Sequence, residues 1–267
     1  MFHTKQCSLK WRLLFVLFVS VLQTDAAETE VHVKAEIVSS HLWRGRVLSD
    51  SSCFQPSVSI LSGGLGLNLW GTFDLESDSG SKRRNRLDAT AYYSARHGKY
   101  LFTGGLVGYF HQDDPEAHAR NTGEIFAGYS LNMLLSPSMT FYYDFDEVAG
   151  YYASFSVAHS LWVTKGLSSL DMQLSIGGGN EDYAASLLKF ENEDTGENYK
   201  PDGETLMDLT LRLSMPIELG RNVRLVPGAR YMRLLDHDAR QAARDAGEDT
   251  DSVAAVIALI VGAGGNL

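Results

Sequence analysis

Cysteine is scarce, with 2 in 267 residues. Cys7 lies in an N-terminal stretch that reads as removable, so Cys53 stands alone and no intramolecular disulfide can staple the fold. A buried structural thiol is the favoured reading of Cys53. Long apolar runs are missing too. No stretch after residue 26 reaches the ~18 apolar residues of a helical membrane span, and 253–261 comes nearest at half that length. Basic charge is also short, with 23 Lys and Arg against 33 Asp and Glu. Removing residues 1–26 takes away Lys5, Lys10, Arg12 and Asp25, which leaves 20 bases, 32 acids and a net charge of −12. That balance argues against nucleic acid as a partner.

Catalytic and metal signatures are missing as well. No serine–histidine pair has a recognisable nucleophile setting, although barrel-shaped lipases and deacylases carry one. Asp236-His237-Asp238 falls in a polar loop, and His159 reads as a satisfied strand histidine. The glycine runs at 62–66 and 177–179 lack the strand–loop–helix context of a phosphate cradle. The spacing within 192–204 does not match a calcium-binding loop. No catalytic residue, cofactor or metal is expected.

The N-terminus is informative. Lys5, Lys10 and Arg12 precede a ten-residue apolar run over 13–22, and Thr24 and Ala26 follow as the small residues of a cleavage site. This is a secretory signal peptide over 1–26, with one domain over 27–267.

That domain has a repeating rhythm. In LGLNLWGTFDL, residues 65–75, Leu65, Leu67, Leu69, Phe73 and Leu75 share one face, while Asn68, Thr72 and Asp74 share the other. A period of two is the strand period. The same pattern recurs in 31–37, 87–94, 138–145, 170–176 and 207–215; in the last, Met207, Leu209, Leu211, Leu213 and Met215 form the apolar face. Strands are predicted over 31–39, 54–62, 65–75, 87–96, 100–111, 123–132, 138–145, 151–162, 169–178, 206–215, 223–234 and 252–262. Two of these carry conflicts. Pro227 cannot donate to a ladder, so 223–234 needs a bulge or an edge there. The last segment is apolar throughout, and a buried helix is its rival.

Connections alternate. Those over 62–64, 96–99, 132–137, 162–168 and 218–222 are short, whereas 40–53, 76–86, 112–122, 146–150, 179–205 and 235–251 are nearly all longer and strongly polar. Short turns at one end and long loops at the other, with an even strand count, describe an all-β fold, an antiparallel up-and-down transmembrane β-barrel of about twelve strands. The wet faces favour this over a soluble β-protein. They carry Asp, Ser, Thr, Asn, Gln and Tyr, while most lysines sit in loops and Lys34 is the clear exception. Phe73, Phe110, Phe145, Tyr151 and Tyr231 gather toward the long loops, and Tyr100 and Trp162 toward the short turns, as two interfacial girdles would.

Residues 39–60 and 65–75 resemble the opening of the TorF-type porins, a bacterial family of outer-membrane barrels. Trp43, Arg44, Gly45, Ser49 and Gln55 match its aromatic-Arg-Gly…Ser/Thr…Gln order. Residues 142–160 resemble a later hairpin of that family, with Asp144, Tyr152 and His159 in matching places. The resemblance implies a bacterial outer-membrane location with lipid and lipopolysaccharide as neighbours, and names no solute. One departure stands out: such barrels commonly finish with an aromatic residue, whereas this chain ends Gly264-Gly265-Asn266-Leu267.

The candidate lumen and constriction residues are Arg44, Arg46, Asp50, Asp74, Asp88, Asp144, Arg212 and Arg230. His32, Lys34, Glu36, Asp171, Asp208 and Arg224 join the predicted inner face. Arg44 and Arg46 have two readings, a charged constriction inside the lumen or an arginine fork that holds the first loop by its carbonyls. Aspartates outnumber bases in the set, which predicts a weak preference for cations. The acidic loops at 112–116 and 191–204 read as solvated surface, or as divalent-cation bridges to lipopolysaccharide. The run SKRRNR at 81–86 reads as a basic outer loop that faces solvent or lipid phosphates. A twelve-stranded barrel leaves at most a narrow lumen. The function expected is passive passage of small hydrophilic solutes or ions. The alternative is a non-conducting barrel that serves as an adhesin or structural anchor.

Overall fold

The structure is a computed structural model that describes residues 29–75, 85–111, 121–164, 168–190 and 199–263. The predicted signal peptide, most of the basic run at 81–86, the acidic run at 112–116, much of that at 191–204 and the last four residues lie outside the described residues.

Among the described residues fifteen strands occur in chain order. They are β1 Thr29–Val38, β2 His41–Trp43, β3 Arg46–Ser49, β4 Cys53–Ser62, β5 Leu65–Asp74, β6 Arg86–His97, β7 Tyr100–His111, β8 Thr122–Leu131, β9 Ser138–Asp144, β10 Tyr151–Thr164, β11 Ser168–Gly179, β12 Thr205–Ser214, β13 Ile217–Gly220, β14 Val223–Leu234 and β15 Asp251–Ala263. Among the described residues two helices sit between wall strands, α1 Glu181–Leu187 and α2 His237–Asp245. Neither is long and apolar enough to cross a membrane.

Twelve of the strands pair antiparallel in the order β1-β4-β5-β6-β7-β8-β9-β10-β11-β12-β14-β15, and β15 returns to pair with β1 from Val31↔Ala263 to Val38↔Val256. The sheet is a closed barrel without an edge. All twelve predicted strands are present within two residues. The segment at 252–262 is the closing strand and not a helix: small Ala254, Ala258 and Gly262 face inward, and Val253, Ile257, Leu259 and Val261 face outward. Pro227 sits where β14 changes partner, from β12 (Ser214↔Gly228) to the short β13 (Ile217↔Leu225). There Met215 N–H donates to Pro227 O, and no return bond is needed from the proline nitrogen.

Alternation sets the two surfaces. On β9, Met139, Phe141 and Tyr143 face outward and are exposed, while Thr140, Tyr142 and Asp144 face the lumen. On β1, Val33 and Ile37 face outward against Lys34, Glu36 and Val38 inside. The exterior is an apolar belt. Phe73, Phe110 and Phe145 stand exposed toward the long-loop end, and Tyr93, Tyr100, Phe102, Tyr129 and Trp162 toward the short-turn end. One alternation departs from the sequence pattern, which puts Met207 on the outer face. A bulge opposite Gly177/Gly178 lets Leu206 take that face and turns Met207 inward, fully buried.

Candidate functional site

The hairpin of the first long loop does not reach into solvent. β2 and β3 pair only with each other, Trp43 opposite Arg46, so Arg44-Gly45 is a two-residue turn. Both turn residues have positive φ, 45° and 89°, as a type I′ hairpin requires. Gly45 suits that geometry, and a Cβ there would also press on Met207 O and Leu234 Cδ1 at 3.3 Å. Arg44 is held in a conformation that costs a side chain about 1 kcal/mol, so something must fix it.

What fixes it lies on the opposite wall. Arg44 Nη1 and Nη2 donate to the two carboxylate oxygens of Glu124 on β8, at 2.7 and 3.1 Å. Tyr109 OH on β7 (2.8 Å) and Tyr183 OH on α1 (2.9 Å) donate to the same carboxylate, and Arg44 also donates to Tyr183 OH. The guanidinium lies over the rings of Tyr142 (4.3 Å), Tyr152 (4.5 Å) and Trp43 (4.8 Å). The Arg44 side chain is 8% exposed and that of Glu124 1%. A buried ion pair offsets its desolvation only with good geometry and satisfied remaining lone pairs, and Glu124 meets both conditions. Burial opposes the charge on Arg44, but the Tyr183 and Tyr109 hydroxyls and the Glu124 carboxylate outweigh it and hold its pKa well above the ordinary value. Burial, the largest influence, pushes the Tyr183 hydroxyl well above the usual phenol range, so it remains a neutral donor to Glu124.

Other contacts extend the plug. Arg46 donates to Leu187 O at 2.9 Å and pairs with Glu248 at 3.0 Å, which ties the hairpin to both helical loops. Arg86 grips Asp88 (Nε–Oδ1 2.8 Å) and lies 4.6 Å over the ring of Trp43, which thus meets two guanidinium groups. Asn180 caps α1 and Asp236 caps α2, so the Asp236-His237-Asp238 stretch begins a helix and is not a loop; its His237 and Asp238 are exposed. Tyr152, Tyr183, Leu188, Phe190, Met207, Leu234, Ala239 and Ala243 form one apolar cluster. The result is a dry level around the whole bore. Each wall strand contributes a buried inward residue: Val38, Gln55, Thr72, Arg86, Tyr109, Glu124, Asp144, Tyr152, Gly177, Asp208, Leu234 and Ala254.

Below that level the lumen opens. Ser59, Asn68, Thr90, Tyr92, Thr103 and Phe126 line an open recess of about 340 Å³ on the β4–β8 side. On the far side Gln173, Arg212 and Arg230 follow one another in register across β11, β12 and β14. Lys34 bonds Glu36 at 3.1 Å near them on β1.

The predicted residues therefore divide. Arg44 and Arg46 belong to the hairpin. Arg44 binds a carboxylate across the barrel, and Arg46 bonds the Leu187 carbonyl and Glu248. Asp88 is the partner of Arg86. Asp144 accepts from Thr122 Oγ1 (2.6 Å) and from the N–H groups of Asp146, Glu147 and Val148, and so shapes the β9–β10 loop. Asp74 accepts from the Cys53 thiol at 3.1 Å, and Asp50 is exposed in the first loop. Arg212 and Arg230 face the open half. Arg86, read from sequence as part of a basic outer loop, instead starts β6 inside the barrel. Glu124, Tyr109 and Tyr183 escaped the sequence reading. The parity of 122–130 already put Glu124 inside, but nothing local joins it to an arginine 80 residues away.

No protein-family model and no curated protein sequence matches the chain. Solved barrels of similar shape include the KdgM porin (9% identity, 87% of this chain and 98% of that one, TM-score 0.49). An outer membrane channel from Pseudomonas putida F1 matches at 11% identity (90% and 97%, TM-score 0.49). The NanC porin matches at 8% identity (86% and 98%, TM-score 0.49). At such distances what those proteins carry is not transferred to this chain.

Proposed function

We propose that the chain is a bacterial outer-membrane channel for small hydrophilic solutes, closed at its long-loop end by its own first loop. The apolar exterior belt with aromatic residues at both ends supports a bilayer location, with lipid against the barrel wall. Export by the predicted signal peptide and the resemblance to TorF-type porins agree with it. The short turns then face the periplasm and the long loops face outside.

The observation that carries the channel reading is how the plug is attached. The wall is closed by main-chain ladders on every strand, but the hairpin over 41–49 pairs with no wall strand. Its tip is held by side chains, through Arg44–Glu124, Arg46–Glu248, and the packing of Leu42 on Met232 and Ala254. It can leave without breaking the barrel. Beneath it lies an open recess, lined in part by Ser59, Asn68, Thr90 and Thr103, that a permanently filled anchor would not need. The dry level around the bore favours the second reading, a non-conducting barrel.

Swelling of liposomes that contain the refolded protein separates the two. The wild-type chain is expected to admit small neutral sugars slowly, and Glu124→Ala, which frees the hairpin, about tenfold faster or more. Equal, background-level swelling for both folded proteins would establish the non-conducting reading.

A further inference from the structure

We infer that Arg212 and Arg230 form an oxyanion-binding site in the open half of the lumen, taking small solutes that bear a carboxylate or phosphate group. This rests on the lumen being a solute space and names the class of solute it holds.

The two arginines are direct cross-strand partners on the inner face, Arg212 on β12 opposite Arg230 on β14. Like charges placed so are destabilising unless something neutralises them. Among the described residues neither arginine has an ion pair of its own; the carboxylate of Glu36 acts on Arg230 but is itself bonded by Lys34 at 3.1 Å. Arg212 Nη1 donates to the neutral amide oxygen of Gln173 at 3.2 Å, and Arg230 has no ion pair, its Nε being buried and without a hydrogen-bond partner. The carboxylates of the same region are engaged elsewhere: Glu36 by Lys34, Glu218 by Arg224, and Asp171 by Ser169 Oγ at 2.8 Å. Two inward positions toward the long loops, Asp208 is buried and accepts from Tyr152 OH (2.8 Å) and Thr210 Oγ1 (3.1 Å).

Two guanidinium forks with unmet donors, beside an amide, form a receptor for a planar or tetrahedral oxyanion. The site lies just beneath the plug, where a solute in the open lumen stops. The aspartates behind the expected cation preference are largely absent from this space. Asp74, Asp88, Asp144 and Asp208 are all bonded at or near the dry level.

The test is thermal unfolding of the refolded full chain in detergent, titrated with succinate or with inorganic phosphate at constant ionic strength. One or both oxyanions should raise the melting temperature of the wild type in a saturable way. Arg212→Gln or Arg230→Gln should weaken that binding about tenfold or more, and the double variant should abolish it. Arg221→Gln, in the β13–β14 turn, should leave it unchanged. Succinate acting more strongly than phosphate assigns a carboxylate solute, and the reverse a phosphate. Without oxyanion, Arg230→Gln should melt no lower than the wild type, because it relieves the arginine–arginine repulsion; a purely structural arginine would give a lower value. No saturable shift in the wild type, or the same shift in the double variant, overturns the site. Binding needs no conduction, so a barrel that binds succinate yet passes nothing would lose the channel reading and keep the site.

Discussion

Removing the Glu124 carboxylate should undock the first loop without unfolding the barrel. In Glu124→Ala the Arg44 guanidinium stays buried without a counter-charge, and the hydroxyls of Tyr109 and Tyr183 lose their acceptor. Breaking a buried pair by deleting one partner costs ~3–5 kcal/mol. The wall does not feel that cost, because its ladders run through main-chain bonds that Glu124 does not make with its side chain. The hairpin does feel it. At ~1.4 kcal/mol per tenfold, its docked-to-undocked ratio should fall by about two to four decades. Hydrogen–deuterium exchange read by mass spectrometry checks this: amides of 41–49 should exchange at least about a hundredfold faster, while those of β14 and β15 keep wild-type protection. Replacing both partners, as Arg44→Met with Glu124→Leu, should restore most of the protection, since it removes the stranded charge. Unchanged exchange over 41–49 in Glu124→Ala, or uniform loosening of every strand, would refute the reasoning.

Other outcomes follow from the same geometry. Gly45→Val should also loosen the hairpin, by about 1–3 kcal/mol, because φ of 89° suits no branched residue and its Cβ meets Met207 O; exchange over 41–49 reads it. Cys53, buried at the root of the first loop, should resist a maleimide in the wild type and react in Glu124→Ala, as mass change would show. The plug should be insensitive to pH up to about 10 and loosen above it. Burial holds the Tyr183 pKa above its undocked value, so the stabilisation is present below about 10 and is lost as pH rises through the docked pKa. Tyr183→Phe should remove that contribution, followed by tyrosinate absorbance and by exchange over 41–49.

Much of the wall was legible because a barrel strand has one lipid face and one water face, so the period-two signal is nowhere masked by burial on both sides. Residues 65–75 and 138–145 show it most plainly. The plug was not legible. Arg44 and Glu124 lie 80 residues apart, and neither position shows which arginine meets which acid. Met207 was misplaced because a bulge breaks the alternation, and the bulge serves an inner cluster built from distant loops. The two helices escaped for different reasons. At 7 residues α1 is too short for a periodic signal. The stretch from Asp236 to Ala246 is polar enough to pass for a loop, although Asp236 as cap and the buried Ala239 and Ala243 were helix signals in plain view. Arg212 and Arg230 were placed inside by parity, but their opposition needed the register of β12 on β14.

The most direct test of the central claim is single-channel conductance in planar bilayers, comparing the full chain with a barrel whose residues 41–49 are replaced by a short Gly-Ser linker. Both proteins must first show heat-modifiable gel migration, the mark of a folded barrel. The account predicts rare, small steps for the full chain and long-lived, larger steps once the hairpin is gone. A folded, inserted barrel that stays silent without its hairpin would contradict it.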